Sequence, residues 1–428
     1  MKKMQSLVKL GMMAVACVLF LGVNMKLESK AAVIGTPSGL KQTNAGTGDV
    51  EISWDAVIGN NIQYKVELCA NKRFTGGIMD NLVYNDKEQV VSGTRKPKQA
   101  FDNLTPGRKY YVRVTAFTNT GEPYYQCDWG SASQVLEVVT APADNQIQNL
   151  KQTGATETSL SLSWKGYEGA NAYQLIYMKK GSTTKKTVSL GNVTSCTLKK
   201  LSKNAKYEIW IWPVMESASG YRALTGDGRN FYWYSVVPTK VKGVEAEFSD
   251  PTSNYLYLRW KQSESAEGYQ YQIYTDTGKK PLLSGKKPTN GEGISFSSDK
   301  LKGSRFLKVR VRGYVEANGK IKPGAWSDWT YFSRQPQIRL KNTKSGVKLT
   351  WNKISGAHKY TVYVSDNRYS GYKKSVTTAK TTATVKKYDK SSLKSGRQYY
   401  FMAVANKKVG DKNFKGAGNY CYWITYKK

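Results

Sequence analysis

The sequence predicts an all-β chain of four β-sandwiches in tandem behind an N-terminal signal peptide. Two observations carry that prediction. Four times a tryptophan is followed a few residues later by a tyrosine-led run: Trp54 by Tyr64, Trp164 by Tyr173, Trp260 by Tyr269 and Trp351 by Tyr360. These tryptophans lie 110, 96 and 91 residues apart. A period near 100 residues filled with short strand patterns means repeated independent units rather than one large catalytic core. The second observation is alternation. Leu256, Leu258 and Trp260 share one face of their run, as do Val347, Leu349 and Trp351, and Tyr173, Leu175 and Tyr177 repeat the pattern. Alternation of this kind marks a half-buried strand.

Taken in order, residues 1–31 read as a secretory signal. Lys2, Lys3 and Lys9 form a basic start, Leu10 to Val23 an apolar stretch, and Ser29, Lys30, Ala31 and Ala32 a small-residue exit. The apolar stretch falls short of the roughly 20 residues that a spanning helix needs, and no later stretch reaches that length. Four units follow, over 32–142, 143–238, 239–335 and 336–428, with Pro142, Pro238 and Pro336 at the junctions. A proline at each junction predicts stiff links and an extended, monomeric rod. The first unit is long between its third strand and Leu104, which predicts an extra hairpin or loop over 71–100.

Three of the four units carry a third mark. Leu104 precedes Tyr110 by six residues, Leu201 precedes Tyr207, and Leu393 precedes Tyr399. A leucine, a turn and a tyrosine six positions on is how a chain crosses between two sheets and plugs the corner. Tryptophan on the second strand, tyrosine on the third and this corner together resemble the immunoglobulin-like fibronectin type III domain, as found in tandem in secreted bacterial proteins. The resemblance spans nearly the whole mature chain. The third unit departs from it, because Leu307 stands where the corner tyrosine would be.

Catalytic chemistry is poorly supplied. The chain has a single histidine, His358, so a multi-histidine metal site is excluded and a triad would have to be built around that one residue. No acidic pair stands in a catalytic context, and no glycine-rich phosphate loop precedes a helix. The expectation is a non-enzyme with no catalytic, cofactor-binding or metal-binding residues. The mature cysteines, Cys69, Cys127, Cys196 and Cys421, are expected to be free, mostly buried thiols. Cys69 and Cys127 share a unit but fall toward opposite ends of a sheet, beyond the ~7 Å reach of a disulfide.

Three surfaces are candidate sites. In the second unit, Tyr207, Ile209 and Ile211 facing the core would turn Trp210 and Trp212 outward, with Ile176 beside them and Tyr232 and Trp233 on the last strand. This aromatic surface would meet a glycan or a protein, or pack between units. In the third unit, Lys308, Arg310 and Arg312 would interleave with Trp326 and Trp329 of a Trp-Ser-Asp-Trp box as a structural clasp. In the fourth unit, 21 basic residues against 3 acidic ones give +18, compared with 0, +6 and +7 for the first three units. Lys373, Lys374, Lys386, Lys387, Lys407 and Lys408 are its candidate polyanion-binding residues. Such a field favours anionic envelope polymers or lipid headgroups. No motif for sequence-specific nucleic-acid recognition accompanies it. The expected role is that of a secreted, envelope-associated binding or adhesion protein. The alternative is a passive extracellular spacer without a specific ligand, and an enzyme or enzyme accessory is the least favoured reading.

Overall fold

The computed structural model describes residues 33–122, 125–144, 146–225 and 231–428, so the predicted signal peptide lies outside the described residues. The described residues are all-β, with one short 3-10 turn at Asp299–Leu301. One pair of sheets, three-stranded and five-stranded, recurs four times with the same strand order. In the fourth copy the small sheet is Ile338–Thr343, Gly346–Trp351 and Thr382–Val385. The large one is Lys373–Thr378, Lys359–Ser365, Gln398–Val409 and Lys412–Lys415, with Tyr422–Thr425 also on Gln398–Val409. The core of each copy lies between its two sheets. Val347, Leu349 and Trp351 meet Tyr360, Val362, Phe401 and Ala403, all buried. Four such clusters follow the four tryptophans.

The tryptophan–tyrosine pairing has a physical reason. In every copy the two rings are in contact, with centroids 5.2, 5.4, 4.9 and 5.5 Å apart, three of them edge-on, an arrangement aromatic quadrupoles favour. The tyrosine hydroxyl then accepts a backbone N–H from the turn before it: Val57 at 2.8 Å, Tyr167 at 2.9 Å, Ser263 at 2.8 Å and Ile354 at 2.9 Å. The corner tyrosines do the same, taking the N–H of Thr105, Ser202 and Lys394 at 2.8, 2.8 and 3.1 Å. The third copy lacks that hydroxyl. There Leu307 is buried, and Ser298 caps the 3-10 turn instead.

The extra segment of the first copy forms a small hairpin, Val83–Tyr84 with Val90–Ser92, and Met79–Asp80 adds an edge to the large sheet. All four described cysteines are free, but against expectation only Cys69 is buried, because Cys127, Cys196 and Cys421 fall on half-exposed positions. Cys69 pairs with Tyr111 and Cys127 with Asn119, at opposite ends of one strand.

The junctions are seams rather than bare links. Pro142, Pro238 and Pro336 are all buried. Between the first two copies, Gly107 and Gly169 touch backbone to backbone, so that a Cβ on Gly107 would sit 2.5 Å from the Gly169 carbonyl oxygen. Between the last two, Phe306 of the third copy's long strand is packed into the fourth copy's core.

Candidate functional site

The cationic residues of the fourth copy divide into two groups. Lys373 pairs with Val364 near one end of the large sheet, whereas Lys359 pairs with Asn406 at the other. Tyr388 donates its hydroxyl to the Gly371 carbonyl at 3.3 Å, which brings Lys386 and Lys387 to the end that holds Lys373 and Lys374. All four of these lysines are exposed. Lys407 and Lys408 stand at the opposite end, against the third copy. Lys408 is exposed, but Lys407 does not fit the expectation of a free cation. Its ammonium pairs with Asp276 of the third copy at 2.9 Å, both side chains are 15% exposed, and the Tyr331 ring lies 5.7 Å away. The candidate set is therefore a distal cluster of four plus Lys408.

The aromatic surface of the second copy also needs correction. Parity places Ile176 and Trp210 on the outer face as expected, but both are buried, at 9% and 5% exposure. Lys185 lies over the Trp210 ring at 5.1 Å and Phe231 packs on it at 5.8 Å, so neighbours cross-strand roof the indole. Trp212 is half-buried. Tyr232 pairs with Ile209 and Trp233 with Glu208, and paired residues share a face. Tyr232 therefore lies on the opposite face from Trp233. The exposed part is the row Phe231 and Trp233, 5.8 Å apart, ended by Lys206 at 5.5 Å. Phe231 belongs to the aromatic run 230–234 that the sequence sets on this surface, but it lies just outside the strand Tyr232–Ser235 from which parity can be counted, so it was not singled out with Tyr232 and Trp233.

In the third copy the interleaved set is brought together. Arg312 lies 4.3 Å from the Trp326 ring, Arg310 lies 4.6 Å from Trp326 and 4.8 Å from Trp329, and Lys308 lies 5.0 Å from Trp329. The neighbouring strand completes the ladder in a way the box did not announce. Gln272 accepts from Arg310 Nε and Nη2 at 3.0 and 2.6 Å, and Gln270 accepts from Arg312 Nε at 2.8 Å. Tyr274 meets Trp329 edge-on at 5.1 Å. Every cation of the ladder is thus stacked or hydrogen-bonded along its own sheet, an arrangement that clamps the strand Phe306–Ala317 to the segment after it.

The family model described as "Fibronectin type III domain" matches residues 35–126 and 145–221. The chain carries fibronectin type III domains. Among curated proteins it is similar to the collagen alpha-1(XII) chain of Oryctolagus cuniculus, at 25% identity over 44% of this chain and 28% of that one. It is also similar to tenascin of Gallus gallus, at 23% identity over 64% of this chain and 14% of that one. The chain therefore spans under a third of these relatives. A crystal structure of the chicken CNTN1 FN1-FN3 domains aligns at 16% identity and a TM-score of 0.26, covering 71% of this chain and 99% of that one.

The exposed His358 ring nitrogen Nδ1 sits 2.9 Å from the Asn406 carbonyl, in a turn. Burial pushes the Cys196 thiol up to about 11, which keeps it protonated at neutral pH. Among the described residues no group of three or more His, Cys, Asp or Glu side chains is placed to hold a metal ion, and no helix is long and apolar enough to cross a membrane.

Proposed function

We propose that this chain is a secreted, non-catalytic binding protein, held to the anionic polymers of a cell envelope by the fourth unit. The observation that carries the reading is the +18 charge of residues 336–428 together with the exposed distal cluster Lys373, Lys374, Lys386 and Lys387. Among the described residues the ion pairs of this unit are Arg397 with Asp366 and Lys407 with Asp276, so most of its cations are left to meet a partner. A polybasic surface attracts anionic polymers over about a Debye length and releases them as salt rises. Extracellular placement is supported by the signal-like start of the chain. The exposed Phe231 and Trp233 row gives the second unit a smaller surface for a glycan or protein.

The test uses the full mature chain and a variant with Lys373, Lys374, Lys386 and Lys387 all changed to Gln. Each is sedimented with purified cell envelopes across a salt series. The expected result is binding that declines with salt and is weaker in the variant at low salt. Equal sedimentation of both proteins, or binding indifferent to salt, would count against the anchor and favour a passive spacer.

A further inference from the structure

The third and fourth units are joined by polar contacts that hold a cleft open between them. The Gln335 side chain bridges the backbone of Tyr420, donating to its carbonyl and accepting its N–H at 2.8 Å. Asn419 Nδ2 donates to the Phe248 carbonyl at 3.0 Å, Asn352 Nδ2 to Ser304 Oγ at 2.7 Å, and the Phe306 N–H to the Ser355 carbonyl at 2.8 Å. Beside this seam lies a cleft of ≈ 920 Å³, lined by Asp250 and Thr252 from the third unit and by Arg339, Asn352, Tyr420 and Tyr422 from the fourth. That volume is at the upper end of the range of about 300–1,000 Å³ for ligand sites, with room for a short oligosaccharide.

The lining is of a particular kind. Tyr420 is 47% exposed and meets Tyr422 edge-on at 5.0 Å, so one flat ring is braced by another. Asp250 is fixed in place, because its carboxylate accepts Thr252 Oγ1 and N–H, each at 2.8 Å, and Ser253 N–H at 2.7 Å. Those hydrogen bonds, Thr252's foremost, hold its carboxyl below the usual range and keep it an acceptor at neutral pH. Arg339 is exposed and belongs to none of the ion pairs among the described residues. An aromatic face, a fixed carboxylate, a side-chain amide and a free guanidinium are what a charged sugar needs: a ring surface to stack, acceptors for hydroxyls, and a fork that matches a carboxylate.

We propose that this cleft binds an acidic oligosaccharide, a short run of hexuronate sugars, with one ring stacked on Tyr420. The sugar carboxylate meets Arg339, and ring hydroxyls meet Asp250 and the second amide N–H of Asn352. This rests on reading the chain as a binder of anionic envelope polymers. The distal lysines supply a field without selectivity, whereas the cleft selects the sugar.

Calorimetric titration of the full mature chain with trigalacturonate, with its methyl ester and with a glucuronate-containing trisaccharide tests the proposal at physiological salt. Saturable one-to-one binding of an acidic trisaccharide, lost in the ester, is the expected result. Arg339→Ala and Tyr420→Ala are each expected to bind about tenfold more weakly or worse, the effect of losing one charge-assisted contact or one stacking face. Both positions are exposed, and Arg339→Gln provides a second variant of minimal change in volume. The four-lysine Gln variant is expected to keep trisaccharide binding while sedimenting more weakly with envelopes at low salt. Equal binding of acid and ester, no saturable binding of either acidic trisaccharide, or affinity that survives Arg339→Ala and falls in the four-lysine variant would overturn the cleft. Trisaccharide binding retained alongside salt-indifferent sedimentation would count against the anchor and leave the cleft standing.

Discussion

A hydroxyl beneath a turn recurs in all four units, and it explains why the repeat is tyrosine rather than phenylalanine. Tyr360 is 3% exposed and its hydroxyl accepts the N–H of Ile354, itself fully buried, so nothing else is placed to satisfy that donor. Tyr360→Phe is expected to destabilise the fourth unit by about 1–3 kcal/mol, the cost of a buried unpaired donor. Faster amide exchange at Ile354 and an earlier thermal transition would show it, while Tyr369→Phe, at an 85% exposed position, should change neither. A second residue-scale device is Glu67, 5% exposed, held by Arg113 Nε and Nη2 at 2.7 and 3.0 Å and by Lys65 at 3.1 Å. Burial acts to raise its carboxyl, but the hydrogen bonds and charges of Arg113 and Lys65 outweigh it and leave the group below its ordinary range. A depressed folded value means stability that is complete above the unfolded value of about 4.3 and is lost as pH falls through the lower folded one. Thermal melts of the first unit's transition should therefore drop below about pH 4.3 in the parent and drop less in Glu67→Gln.

At the scale of the element, the ladder in the third unit shows a charged strand held by rings. Arg310 lies between Trp326 and Trp329 and donates twice to Gln272. Arg310→Ala is expected to lower the stability of that unit by about 1–2 kcal/mol, two half-buried cation–π contacts of ~0.5–1 kcal/mol each. Arg310→Lys should recover little of this, since an ammonium cannot stack and fork at once. Chemical denaturation followed by the fluorescence of Trp326 and Trp329 would measure both, and an alanine variant as stable as the parent would remove the clasp as a structural device. The cations and rings of this ladder were legible in the sequence because Lys308, Arg310 and Arg312 alternate with a period of two just ahead of the Trp326–Trp329 box, whereas Gln270, Gln272 and Tyr274 lie on a distant segment and were not. The same counting placed Trp210 outward in the second unit but could not see that Lys185 and Phe231 would cover it, because cross-strand register decides what lies over a ring. The six candidate lysines were one set in the sequence by charge alone. They part because a strand's two ends are far apart in space however close their residues lie in a list of charges. The Tyr–turn hydrogen bonds were present in the repeat, but only as a tyrosine of unstated purpose.

The molecule as a whole is organised by its seams. Asp276 and Lys407 are 131 residues apart in sequence and meet at 2.9 Å between the third and fourth units, half-enclosed beside the Phe306 and Tyr331 rings. No local pattern announces such a pair, which is why Lys407 looked like one more surface cation. The pair sits at the junction of the same two units that line the cleft. Removing one partner leaves the other charge poorly solvated, and costs of several kcal/mol are known for fully buried pairs. With both side chains 15% exposed, Lys407→Ala is expected to weaken the junction by about 1–3 kcal/mol, toward the lower end. The two cores do not share that ion pair, so the melting of each unit should change little while their coupling falls. Small-angle scattering should then broaden its distance distribution, and proteolysis should begin near Pro336. Replacing both partners, with Lys407→Met and Asp276→Leu, should restore much of the coupling, because an apolar pair of similar volume carries no desolvation cost. If the single variant leaves the scattering unchanged, the backbone and amide bonds around Gln335 and Asn419 suffice to hold the seam, and the ion pair is incidental to it.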